Sequence, residues 1–449
     1  MHNHRFQFGF IPLLLSLSIF PLITQAQNSV TTMSLDEAVT YGLKHRTDMI
    51  NAHLDVTYSE NETKRQIRRY LPQITATADY RNYLKLPTTI LPGAIIGKPG
   101  ENVRAKFGSK NDINAGIKAE QEIFDPSLIS SIQTSKVNEH LVQNQVTLQK
   151  KNTELLIRQD YYTALLARET SRLSIKNLHN YQKLLDISQS RLKNKQINPF
   201  DYHQIDVKYQ NQKQQVTADS LDNINTLAQL KLDIGFPGSQ QLDLSDSSLI
   251  QLVSANSSFI SNASPNIHSI PEFKSLQMQL DLNEKNIIGN RRNYLPTLSA
   301  YAFIGSQYFN NRLALTNSQN WYGSSYIGLS LSLPIFDGLQ KSAEAQKLSI
   351  KRKELRNQAQ NFKQQFPEQE TIARRNIDIA MRRARILKSD MSLTQQKLSM
   401  QQKRYNLGLI PLNELLNTEI QYSNDQQNYQ DALQNLLNAQ LQYTNLTGS

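Results

Sequence analysis

The sequence predicts an α+β membrane protein in which two pairs of bilayer-length strands lead into two very long helical hairpins. Three observations predict it: the chain is written twice, each copy holds a pair of alternating strands, and each pair is followed by about 70 residues with helical character. The duplication is read from recurring motifs. Arg69-Tyr70-Leu71-Pro72 returns as Asn293-Tyr294-Leu295-Pro296, Ile123-Phe124-Asp125 returns as Ile335-Phe336-Asp337, and Pro199-Phe200-Asp201 returns as Pro411-Leu412-Asn413. The first offset is longer than the other two, so the first copy carries an insertion between Pro72 and Ile123. A period this long is that of a duplicated half-protein, since solenoid repeats are far shorter.

The elements follow in order. Before them, a basic start at Met1–Arg5 and an apolar run from Phe8 to Ile23 read as a secretory signal peptide, with cleavage expected after Ala26. In the first copy Ser34-Leu35-Asp36-Glu37 has the form of a capping box, and a helical stretch runs from it to Tyr70, where Pro72 stops it. The second copy repeats this with Ser269-Ile270-Pro271-Glu272 and Pro296. After each proline the sequence alternates as a strand does: Ile74, Ala76, Ala78 and Tyr80 share one face, as do Leu298, Ala300, Ala302 and Ile304. Ile113–Phe124 and Tyr322–Phe336 close the two hairpins, with Ile327, Leu329, Leu331 and Leu333 alternating against small polar residues. Each run is about the 9–11 residues that a tilted transmembrane strand needs. The connections at 85–110 and 310–321 are expected to be surface loops, and Trp321 to sit in an interfacial aromatic girdle.

Two helical stretches follow, from Pro126 to about Lys195 and from Gly338 to about Leu407, each about 100 Å long at 1.5 Å per residue. Asp125 and Asp337 stand where a helix N-cap is useful. Leu178, Leu185 and Leu192 recur every seventh residue with Tyr181 among them. The later helix has two such rows, Met391-Leu398-Tyr405 and Leu393-Met400-Leu407, on nearly opposite sides, as a stave touching a neighbour on either side requires. Pro367 is expected to kink or interrupt it. Both stretches turn back near Asn198-Pro199 and Gly408-Leu409-Ile410-Pro411, and each proline suits the first turn of the returning helix. The predicted organisation is a signal peptide at 1–26, a first repeat at 27–235, a linker with little regular structure at 236–269 and a second repeat at 270–449.

Composition excludes several function classes. The 449 residues include 49 Lys and Arg against 38 Asp and Glu, a formal net charge of +11. The basic run at 341–388 recurs on a helical segment of an exported chain, which favours a solvated helix face over nucleic acid. The absence of cysteine removes disulfides, thiolate metal sites and thiol nucleophiles. His45, His53, His140, His179, His203 and His268 form no metal-binding spacing, and no nucleophile elbow, Walker loop or dinucleotide fingerprint occurs. The chain is therefore expected to be no enzyme and to need no cofactor or metal.

The order of signal peptide, helix ending in Tyr-Leu-Pro, strand pair, Ile-Phe-Asp, long hairpin with Arg191…Asp201 or Arg404-Tyr405-Asn406-Leu407-Gly408…Glu414-Leu415-Leu416, and a close on Leu446-Thr447-Gly448 resembles the TolC-like outer-membrane efflux proteins. The resemblance covers nearly the whole mature chain. It implies a homotrimer whose twelve strands, four per subunit, share one β-barrel in outer-membrane lipid and continue as a helical tunnel through the periplasm. It implies a trimeric exit duct of a tripartite efflux or secretion system, acting with a periplasmic adaptor and an inner-membrane RND- or ABC-type transporter. The adaptor contacts would fall on the hairpin tips, at Lys195, Gln196, Ile197 and Pro199 and at Gly408, Leu409, Ile410 and Pro411. Lys195 stands in place of the usual glycine, so equal engagement of the two tips is not implied. The periplasmic gate would involve Tyr405, Glu414 and Asn417, with Ile410 and Asn417 replacing a basic and an acidic position and leaving fewer ionic links. The competing reading is an exported coiled-coil structural or adhesive protein without a pore.

Overall fold

The computed structural model describes residues 30–448 apart from 93, 95, 96, 98, 101 and 257–264. The expected signal peptide at 1–26 lies outside the described residues. The chain runs β1 (Thr31–Met33), α1 (Leu35–His45), α2 (Thr47–Arg68), β2 (Gln73–Asn82), β3 (Thr88–Pro92), β4 (Asn102–Lys106) and β5 (Asn111–Phe124). The 68-residue α3 (Pro126–Lys193) and α4 (Pro199–Ile234) complete the first repeat. β6 (Leu242–Leu244) and α5 (Leu249–Asn256) precede the second, which holds α6 (Pro271–Arg292), β7 (Thr297–Asn310), β8 (Trp321–Ser332), the 67-residue α7 (Gln340–Asn406) and α8 (Leu412–Thr447).

Four strands form one antiparallel sheet in the order β2-β5-β7-β8. Its register sorts the side chains by chemistry. Ile74, Ile117, Ile304, Ile327, Leu329 and Leu331 share one face and are all exposed, while the six charged residues of the four strands (Asp79, Arg81, Asp112, Lys118, Glu120 and Glu122) all lie on the other. Such a division is that of a barrel wall with lipid outside and water within. β8 stops at Ser332, short of the predicted Phe336, because Pro334 cannot donate to a ladder. The first-copy loop is more ordered than predicted, since β3 and β4 pair antiparallel within it and account for its extra length. Among the described residues, no helix is long and apolar enough to cross a membrane.

The helices form four staves. α3 and α7 run the full length; α2 and α4 lie end to end on one side of α3, and α6 and α8 end to end between α3 and α7. The joints are visible in single contacts. Arg46, between α1 and α2, donates to the Asp233 carbonyl at the end of α4, and Gly448 at the end of α8 meets Pro271 at the start of α6. The helical stretch from Ser34 to Tyr70 is divided at Arg46, and its second part starts at Thr47, the position whose sequence counterpart in the second copy is Pro271, where α6 starts.

The Ser34 capping box forms as predicted, with Ser34 and Glu37 reciprocally bonded. Its second-copy counterpart does not. Pro271 takes the first helical position, which moves the cap to Ile270 and puts Glu272 one residue too early to close a box; Glu272 binds Lys151 Nζ at 2.5 Å instead. Asp125 caps α3 through the Ser127 N–H, whereas Asp337 lies two residues before the α7 cap and accepts from the Lys341 N–H. α7 passes through Pro367 without interruption.

The main core lies midway along the molecule, where the predicted linker proves partly structured. β6 pairs parallel with β1, joining the inter-repeat segment to the first repeat. Arg168 secures it by donating to the carbonyls of Leu244 and Asp246. The buried Tyr161 hydroxyl lies 2.5 Å from Asp246 Oδ2 and 3.0 Å from the Met33 carbonyl, while Asp246 also accepts the Leu35 N–H that opens α1. Tyr161→Phe leaves these acceptors short of a donor, at a cost of about 1–3 kcal/mol. Thermal unfolding in detergent should begin several degrees lower, and exchange of the β1 and β6 amides should rise first.

Candidate functional site

The candidate site is the pair of hairpin tips and the helix ends packed above them. At the first tip Lys195 N–H donates to the Leu192 carbonyl and Gln196 N–H to Arg191, at 3.0 and 2.8 Å. At the second, Gly408 N–H donates to Tyr405 and Leu409 N–H to Arg404, at 3.0 and 2.9 Å. This is one Schellman turn made twice, and it pairs Lys195 with Gly408. Lys195 adopts φ +58° and Gly408 φ +70°, so the lysine bears the left-handed strain that the glycine escapes. The prolines differ in place. Pro199 is the first residue of α4, capped by Asn198, whereas Pro411 is itself the cap residue of α8 and has no side chain to offer.

Of the predicted contact residues, Lys195, Gln196, Pro199, Gly408, Leu409 and Pro411 are exposed and Ile197 is half-buried. Ile410 is buried in a tip cluster with Tyr181, Ile205, Tyr405, Leu412, Leu415 and Leu416, which draws on α3, α4, α7 and α8 together. In place of the basic side chain of the resemblance, Ile410 anchors the turn by burial.

The predicted gate residues are only partly brought together. The Arg191 guanidinium lies 4.6 Å over the Tyr405 ring and donates to the Asn406 carbonyl, tying α3 to α7. Gln401 donates to Glu414 at 2.8 Å, tying α7 to α8. Asn417 joins neither link. It lies on the wall of a groove of about 360 Å³ between α4 and α8, beside Phe200, His203 and Val207. Ser188 Oγ, Tyr405 Oη and Gln401 Oε1 are buried here without a hydrogen-bond partner among the described residues.

Sequence reasoning missed Glu419. It sits seven residues after the buried Leu412, on the packed side of α8, and its Oε2 has no partner among the described residues. Burial raises its pKa to about 7, against a smaller opposing pull from the Gln402 amide. Tyr181 faces it from α3 and is itself pushed up to about 12, by burial first and by Glu419 second. A charged residue at a heptad core position was the available signal. Among the described residues no group of three His, Asp or Glu side chains is arranged to hold a metal ion.

With this geometry the chain can be set beside known proteins. Residues 267–449 match the family model described as outer membrane efflux protein. The structure is similar over 92% of the chain to the Campylobacter jejuni CmeC outer membrane channel (85% of that chain, 15% identity, TM-score 0.71). It is similar over 99% of both chains to CusC, described as undergoing folding and transmembrane channel formation (15% identity, TM-score 0.71). It is similar over 92% of the chain to the open state of the Neisseria gonorrhoeae MtrE outer membrane channel (88% of that chain, 15% identity, TM-score 0.71). A search of curated protein sequences finds no match. The second repeat thus matches an outer membrane efflux protein domain, and the whole chain has the fold of these outer-membrane channels, as the TolC-like resemblance implied.

The position of Glu419 predicts a pH dependence. Between its unfolded pKa near 4.5 and its folded value of about 7, the packed tip holds a proton that the separated helices release. Tip stability is therefore full at acid pH, falls as pH rises through that window and levels off above it, by on the order of 1–2 kcal/mol after solvent screening. Hydrogen exchange across 412–420, corrected for intrinsic rate, should quicken from pH 5 to pH 8 in the native chain and stay level in Glu419→Gln. An equal change in both would show that another group titrates.

Proposed function

We propose that the chain is one subunit of a homotrimeric exit duct of a tripartite efflux or secretion system. It is passive by itself and works with a periplasmic adaptor and an inner-membrane RND- or ABC-type transporter. The observation that carries this reading is the four-stranded sheet with an apolar outer face and two unpaired edges, β2 and β8. Such edges are not tolerated in lipid, and four strands cannot close on themselves. Three copies joined β2 to β8 supply a twelve-stranded barrel.

The helices support the same closure. In one subunit the staves run in the order α2/α4, α3, α6/α8 and α7, leaving α2/α4 and α7 as the open sides. The open side of α7 carries Ile379, Ile386, Leu393, Met400 and Leu407, spaced every seventh residue and 59–73% exposed. This is the second seam of the sequence, unpaired within the chain. On α4, Phe200 and Val207 line the groove shared with α8, whereas Leu221 above it stands 57% exposed. The edges of sheet and helices fall together, since β2 follows α2 and β8 precedes α7.

In this reading the repeats at 27–235 and 270–449 are structural halves of the subunit, and the segment at 236–269 belts them. The exposed tip residues meet the adaptor. Opening requires α7 and α8 to part from α3, which breaks the Arg191–Tyr405 contact, while the Gln401–Glu414 bond keeps α7 and α8 together as they move; Asn417 lies on the groove wall beside α4. Selection of cargo lies mainly with the pump. A coiled-coil protein without a pore would have no use for a sheet apolar on one face and charged on the other.

Two experiments test the proposal. The mature protein in planar bilayers should open discrete ion-conducting channels; recovery without detergent and no conductance would remove it. In Leu393→Glu/Met400→Glu, the native mass should fall from three subunits to one, while circular dichroism retains most of the helical signal. An unchanged mass would mean that the α7 seam is not an interface.

A further inference from the structure

The charged face of the sheet carries an aromatic cluster that neither pairing of strands nor lipid contact uses. Tyr301 and Phe303 on β7 and Tyr326 on β8 lie on that face, halfway along their strands. Phe303 and Tyr326 are register partners, their rings 5.3 Å apart and within 24° of parallel; Tyr301 meets Tyr326 edge-on at 6.1 Å. Beneath the two β7 rings the chain has glycines. A Cβ at Gly116 or Gly305 would fall 2.5 or 2.6 Å from Phe303 Cζ, and one at Gly328 would fall 2.5 Å from Tyr301 Cζ. These rings rest on bare backbone, so their other surfaces face away from the wall. Tyr326 is 55% exposed; Lys118, the cross-strand partner of Phe303, comes within electrostatic reach of Tyr301 and Tyr326, but no cation of the described residues lies over any of the three rings.

The charge of the same face completes the recognition chemistry. It holds four acidic and two basic residues, and the Lys118 ammonium is held by Glu120 at 2.8 Å, which leaves Asp79, Asp112 and Glu122 against Arg81. If this face lines the lumen, as the duct reading has it, three subunits present three aromatic surfaces in a net acidic barrel. We propose that Tyr301, Phe303 and Tyr326 form a binding surface for planar aromatic cations on the barrel wall. A flat delocalised solute stacks on the rings, its charge is favoured by the ring faces and the acidic wall, and a compact cation without a ring gains only the second contribution. Such a surface biases passage in the barrel itself, independently of the pump.

The test uses the full trimer in planar bilayers. Ethidium is the probe and tetrapropylammonium the control of equal charge, each read by the concentration that half-blocks the current. The native channel should be blocked by ethidium at about tenfold lower concentration than by tetrapropylammonium. In Phe303→Leu/Tyr326→Leu, with conductance retained, that difference should disappear, ethidium block weakening about tenfold more than tetrapropylammonium block, which loses only the charge contribution of the rings. Tyr326→Leu alone, which uncovers no glycine, should remove a substantial part of it and serves where the double variant fails to assemble. Equal block by both cations in a conducting native channel overturns the inference and leaves the duct reading intact, as does a double variant that keeps the full difference, which would assign the rings to covering glycines only. A protein that does not conduct fails the duct reading, and the inference falls with it.

Discussion

Everything in this subunit depends on an unclosed edge. Backbone N–H and C=O groups cannot be left unpaired in hydrocarbon, yet one chain supplies four strands and stops. That constraint reaches below the sheet. β2 is entered from α2, and β8 leaves into α7, so the two open sides of the barrel wall are inherited by the helices beneath. A wall of staves needs each helix to pack on both flanks, which is why α7 has two apolar rows where a two-stranded coiled coil would have one. In the proposed duct the composition follows as well: a cylinder wetted inside and out has little interior to fill, and the apolar residues thin into stripes one residue wide.

The two regions that must not slide are built differently. Midway along, β1, β6, Tyr161, Arg168 and Asp246 make a buried hydrogen-bonded knot whose side chains leave only Arg168 Nε unpartnered among the described residues, a costly arrangement to open. At the tips the contacts are a cation over a ring, one amide on Glu414 and a small apolar cluster that also buries the unpartnered Oε2 of Glu419. Buried polar atoms without partners lower the cost of separation. The fold is thus firm at its waist and weakly held at its lower end, where a gate would have to move.

Much of this was legible in the sequence because it rests on periodicity. Four strands, two long hairpins and both α7 rows follow from spacings of two and seven, and the Gly408 turn follows from a residue type. What was not legible depends on contacts that periodicity does not encode. Lys195 hides a left-handed turn behind a residue that disfavours it. β1 and β6 are three residues each and meet across more than two hundred positions, too short to show alternation. The second capping box has the right letters, but Pro271 shifts the helix start by one residue. Pro334 was visible and should have ended β8. Of the site, the exposure of the tips was foreseen; the Arg191–Tyr405 contact, the burial of Ile410 and the position of Glu419 needed four helices in space.

The central claim is that α7 of one subunit closes on α4 of the next. Because the chain has no cysteine, a Leu221→Cys/Ile386→Cys variant carries only the two introduced thiols, on exposed positions at similar heights above the tips on α4 and α7. Oxidation in outer membranes should give covalent dimers and trimers on a denaturing gel, with no larger species and each single variant remaining monomeric. Absence of any intersubunit crosslink, or a crosslink formed within one chain, would contradict the closed cylinder.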